Sequence, residues 1–84
     1  MAQGGRISVG RAPGNDVVLE HPSVSRRHME IEPHDEGIDL HDLGSSGGTH
    51  VVHNQRWVQV QHATVERGEP LRLGEFETTA DAPC

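Results

Sequence analysis

Apolar residues along this chain alternate with polar ones instead of recurring every three or four positions. Ile7 and Val9 flank Ser8, Met29 and Ile31 interleave with Glu30 and Glu32, and Ile38 and Leu40 with Asp39 and His41. Val58 and Val60 alternate with Gln59 and Gln61, and Leu71 and Leu73 flank Arg72. A period of two over such short segments predicts strands with one buried and one wet face. Turn signals stand between them. Ala12-Pro13-Gly14-Asn15 follows the first strand, and His21-Pro22-Ser23 follows the apolar run Val17-Val18-Leu19. Pro33-His34-Asp35-Glu36-Gly37 reads as a hairpin loop, and Gly44-Ser45-Ser46-Gly47-Gly48 as a flexible connector. His53-Asn54-Gln55 and Arg67-Gly68-Glu69-Pro70 mark two more turns. There is no pattern for a helix of normal length, no repeat and no low-complexity tail. Many short strands at this spacing predict an all-β sandwich or barrel.

The composition sharpens that picture. A chain of 84 residues has room for one domain (1–84, with a core over about 6–79). Trp57 and Phe76 are the only aromatics of the Phe, Trp and Tyr class, so the core rests on Val, Ile and Leu, which favour strands. The formal charge of −6 argues against non-specific binding to nucleic acid or to an anionic membrane. Cys84 is the single cysteine, so no internal disulfide forms, which suits a reducing, cytoplasmic setting. Met1–Arg6 lacks the apolar segment of a secretory leader. No apolar run approaches the roughly 20 residues that cross a bilayer.

Three stretches at strand ends combine Arg, Ser and Gly: Gly10-Arg11, Ser25-Arg26-Arg27-His28, and Asp42-Leu43-Gly44-Ser45-Ser46-Gly47-Gly48-Thr49. Loops gathered at one edge of a sandwich are where binding sites are built on a rigid scaffold. These residue types share the chemistry of anion recognition. A guanidinium presents a fork of donors that matches two phosphate oxygens. Serine hydroxyls and glycine-loop N–H groups serve the remaining oxygens.

The series Gly-Arg, Asn15-Asp16 before an apolar strand, Ser-Arg-x-His, an alternating hairpin, Asp-x-x-Ser-x-x-Gly-Thr and the late Leu73-Gly74 resembles the forkhead-associated (FHA) family over about Ile7 to Phe76. The resemblance implies a two-sheet antiparallel β-sandwich whose apical loops read phosphothreonine in a partner protein. It implies that Arg11 grips the phosphate, that Ser25 and Ser46 donate hydroxyls to it, and that Arg26 contacts the phosphate or the peptide backbone. Gly47 holds the peptide-side position, where the family usually has an Asn whose side chain binds the peptide main chain. Gly10, His28, Gly48 and Thr49 would shape the site, with His28 anchoring its loop by internal hydrogen bonds. The family often has Asn-Gly in the turn after Val52, and His53-Asn54-Gln55 here implies a longer loop. A rival of another class is a structural or assembly domain of the same fold that ignores phosphate.

Other readings of these residues are weaker. If the strand that follows starts at His28, Arg26 and Arg27 point to opposite faces, leaving Arg27 to solvent or a carboxylate. The seven histidines include no pair at i, i+2 on one strand, so no metal site and no cofactor is expected. Ser25, His28 and Asp42 supply triad chemistry on paper, but no Gly-x-Ser-x-Gly elbow occurs and the chain leaves little room for a substrate pocket. The expectation is a binding module and not an enzyme.

Overall fold

The computed structural model describes residues 6–80; Cys84 and the residues before Arg6, on which the disulfide and leader readings rest, lie outside it. Nine strands run in order: β1 (Ile7–Gly10), β2 (Val17–Val18), β3 (Met29–His34), β4 (Gly37–Asp42), β5 (Thr49–His53), β6 (Arg56–Val60), β7 (His62–Val65), β8 (Pro70–Leu73) and β9 (Phe76–Thr79). They form two sheets, β2-β1-β3-β4-β7 and β6-β5-β8-β9. The described residues contain no helix, so none is long and apolar enough to cross a membrane. The architecture is the expected all-β sandwich.

The alternation does what it predicts where the two sheets overlap. Val9, Met29, Ile31, Ile38, Leu40, Leu71 and Leu73 are wholly buried, and Val24, Val51, Val65 and Ala80 complete the core. It contains no aromatic side chain; Phe76 packs on its margin. Val58 and Val60 behave differently. They pair with the inward-facing Val51 and Thr49, yet Val58 is 39% exposed. β6 is the edge of its sheet, so part of its inner face has nothing opposite to bury it.

All strand pairs are antiparallel except β1 and β2, which run parallel with Val9 opposite Val17. The connection is short because the turn Ala12–Asn15 drops the chain back to the level of Ser8. There the Asp16 carboxylate accepts from the Ser8 N–H (3.0 Å) and the Ser8 hydroxyl accepts from the Asp16 N–H (2.9 Å). This clasp makes parallel pairing possible without a helical crossover.

Two expected loops are tighter than their sequences imply. Pro33 and His34 belong to β3, and His34 pairs with Gly37, leaving a two-residue turn. Proline is tolerated because, among the described residues, the last β1 partner on that side is at Ile31, and Pro33 pairs only with Ile38 of β4. The segment His53-Asn54-Gln55 is not a lengthened loop. His53 pairs with Arg56, and Asn54 (φ 53°) and Gln55 (φ 66°) make a two-residue hairpin turn. Two positive φ values mark the turn whose twist matches the flanking strands, and glycine favours its second position. Gln55 bears a steric cost there that glycine would not. Gln55→Gly is expected to raise stability by about 0.5–1 kcal/mol after glycine's own entropy cost, read as a higher thermal midpoint.

Candidate phosphate-binding cleft

The loops that follow β1, precede β3 and follow β4 meet at one end of the sandwich. They enclose a cleft of about 270 Å³ lined by Arg11, Pro22, Ser23, Val24, Ser25, Arg26 and Ser46. Four residues singled out in the sequence therefore share one cavity.

Arg11 is held at its root. Its N–H donates to the Ser25 carbonyl (2.9 Å) and its Nε to the Val24 carbonyl (3.0 Å). The two terminal nitrogens of the guanidinium remain open to a ligand, and no ion pair among the described residues involves Arg11 or Arg26. Arg27 instead approaches Glu30 at 3.8 Å, so the two adjacent arginines do divide between cleft and surface. Ser25 Oγ accepts from the Ser46 N–H (3.0 Å), which leaves its own proton free to donate. Such anchoring fixes donors before a ligand arrives and reduces the ordering cost of binding.

Behind these side chains lies a frame of backbone contacts. The N–H of Ser25 donates to His28 Nδ1 (3.1 Å), while His28 Nε2 donates to the Gly48 carbonyl (2.9 Å). The same carbonyl accepts the N–H of Gly74 at 2.9 Å. His28 is wholly buried, and its tautomer is set: the proton sits on Nε2. Both ring nitrogens are committed to backbone groups, so Ser25, His28 and Asp42 form no proton relay. At Gly10 a Cβ would stand 2.2 Å from the Arg26 carbonyl oxygen, so only glycine lets the Arg26 backbone cross the end of β1.

Burial lowers the pKa of His28 below the ordinary 6.5; the Gly48 hydrogen bond and the Asp42 charge oppose this, and His50 reinforces it. The unfolded chain therefore binds a proton here that the folded chain refuses. The contribution to stability is complete above 6.5 and is lost as pH falls from there through the folded value. In an NMR titration the His28 ring should stay neutral after pH has dropped below 6.5, with its Nε2–H tautomer intact. Protonation at Nδ1 would break the bond to Ser25 and disturb the cleft.

The third loop is knit, not slack. The Asp42 carboxylate accepts from the N–H groups of Gly44 (2.9 Å) and Ser45 (3.0 Å), from the Ser45 hydroxyl, and from the Thr49 hydroxyl (2.8 Å). The Ser45 oxygen in turn accepts the N–H of Gly48 at 3.1 Å. Burial raises the Asp42 pKa, but these hydrogen bonds outweigh it and hold the group below the ordinary 3.8. Gly47 does not line the cleft. A Cβ on it would lie 2.7 Å from Gly74 Cα, so the loop as it stands has no room for the family's Asn.

Several participants escaped the sequence reading. Asn15 Nδ2 bridges the carbonyls of Ala12 (2.9 Å) and Arg26 (2.7 Å), tying the first two loops together. Ser23 Oγ accepts the N–H of Glu75 at 2.8 Å, joining the cleft wall to the β8–β9 turn. His41 and His62 meet across β4 and β7, a pairing that a search along single strands cannot find.

A family model for the FHA domain matches residues 7–74. The chain is 33% identical over 69 residues to an oxoglutarate dehydrogenase inhibitor of Corynebacterium glutamicum, covering 82% of this chain but only 46% of that protein. Among solved structures, one from a structural and functional analysis of phosphothreonine-dependent FHA domain interactions superposes with a TM-score of 0.75 at 34% identity, covering 90% of this chain and 75% of that one. EmbR of Mycobacterium tuberculosis, solved with a low-affinity phosphopeptide, superposes with a TM-score of 0.73 at 31% identity, over 93% of this chain and 20% of that one.

Proposed function

The chain belongs to the FHA domain family, and from that premise we propose that it binds phosphothreonine in partner proteins, without catalysis, through the cleft between its apical loops. The convergence of unpaired donors carries this reading. The terminal nitrogens of Arg11, the Ser25 and Ser46 hydroxyls and the Arg26 guanidinium border one cavity, with no acceptor among the described residues claiming them. In a chain of net charge −6 this is a local cationic site. A phosphate monoester brings about −1.5 to −2 charge and oxygens for each donor. Charge-assisted hydrogen bonds of about 1.5–3 kcal/mol each, less the entropy of association, suffice for micromolar affinity.

The phosphorylated states seen with similar proteins support the same assignment, since two of the matched structures concern phosphothreonine or phosphopeptide binding. The absent side chain at Gly47 shifts the balance within the site. Affinity rests on the phosphate more than on the peptide main chain beside it. Paired titrations of a phosphothreonine peptide and its unmodified counterpart test the proposal. Measurable binding of the phosphorylated peptide alone is expected; equal affinity for both would favour a phosphate-independent assembly domain.

A further inference from the structure

The outer face of the larger sheet carries a second concentration of chemistry, made of side chains that do not line the cleft. Outward-facing residues there line up across strands: Glu30 stands opposite His41, and His41 opposite His62. In the next row Glu32 stands opposite Asp39, and Asp39 opposite Thr64. The rings of His41 and His62 are stacked, 4.4 Å between centroids and 11° between planes. Ligand-type atoms of Asp39, His41 and His62 all lie within 4.8 Å of one another.

We propose that Asp39, His41 and His62 form a binding site for a divalent transition-metal ion of the zinc, nickel or copper class. Two imidazole nitrogens and one carboxylate oxygen suit such ions, whereas calcium and magnesium demand oxygen-rich sites. His41 Nε2 is buried and has no hydrogen-bond partner among the described residues. A buried polar atom of that kind is uncommon, and a metal bond would satisfy it. The carboxylate is already oriented: the Thr64 hydroxyl (2.6 Å) and His34 Nε2 (3.1 Å) both engage Asp39 Oδ1, leaving Oδ2 for an ion. Supporting partners of this sort hold metal-binding carboxylates in place. Glu32 directly opposite Asp39 adds like-charge repulsion that a cation relieves.

With the rings stacked and the ligand-type atoms spread over as much as 4.8 Å, closure onto one ion needs one ring to turn. Tetrahedral ligands at about 2.0–2.1 Å from the ion stand about 3.4 Å apart. His62 is exposed, so its ring is free to rotate and bring the three atoms to that spacing. A water molecule would fill the remaining position, as in zinc sites with three protein ligands.

Isothermal titration of the metal-free protein with zinc chloride tests the site. One ion per chain with a micromolar dissociation constant is expected. His62→Ala should weaken binding by at least about a hundredfold, the upper end of what the loss of an orienting neighbour alone costs. Asp39→Asn should weaken it in the same direction, while His53→Ala, an exposed histidine on β5, should leave it unchanged. Cobalt substitution should give visible absorption of a nitrogen–oxygen site without the thiolate band of a cysteine ligand. Undiminished zinc affinity in His62→Ala would overturn the proposal, as would binding that disappears in Cys84→Ser.

Discussion

Replacing Arg11 by alanine should weaken a phosphothreonine peptide by at least about 2 kcal/mol, roughly thirtyfold in dissociation constant. The guanidinium enters the cleft with Nε fastened to the Val24 carbonyl and its two terminal nitrogens free. Truncation therefore removes a prepositioned bidentate donor and the positive charge together. Arg11→Lys separates these contributions. It keeps the charge but neither the fork nor the Val24 contact, and should recover only part of the lost affinity. Arg11 is exposed, so the unfolding midpoint should move little while the peptide titration moves much. An unaltered affinity in both variants would remove the cleft from consideration as the phosphate site.

Asp42→Ala should cost about 3 kcal/mol of folding stability, a large fraction of the total for a domain of this size. One carboxylate accepts four hydrogen bonds, among them that of the Thr49 hydroxyl on a residue only 1% exposed. Removing it strands these donors and releases the loop that carries Ser46. A lower urea midpoint at unchanged slope would register the loss, and phosphopeptide binding should fall with it. The native protein should show the same dependence on acid. The folded-state pKa of Asp42 lies below 3.8, so its contribution is fully present above that value and disappears as pH falls through the folded value. That part of the acid sensitivity should be absent from the variant.

The sandwich was legible because its core positions obey a local rule. Ile7, Val9, Met29, Ile31, Ile38 and Leu40 alternate with polar residues whatever lies far away in sequence, and all but Ile7 are wholly buried. Arg11, Ser25, Arg26 and Ser46 could be singled out for another reason: they sit in short Arg-Ser-Gly stretches at strand ends, and the fold brings them to one cavity. What remained hidden depends on distances that no local pattern encodes. The edge position of β6 exposes Val58 although Val58 and Val60 alternate with Gln59 and Gln61. Asn15 joins Ala12 to Arg26, and Ser23 meets Glu75, through side-chain reach between loops. The His41–His62 pair follows from the register of two strands separated by two others in the chain. The compact turn at Asn54-Gln55 was missed because a non-glycine residue accepts an unfavourable backbone angle there.

The Gly48 carbonyl receives both the His28 imidazole and the Gly74 amide. One donor comes from the loop leading into β3 of the larger sheet, the other from the β8–β9 hairpin of the smaller. A single oxygen thus rivets the two layers at the rim. Opening either bond loosens the seam between the layers, so the Gly74 amide proton should exchange with solvent far more slowly than those of exposed turns.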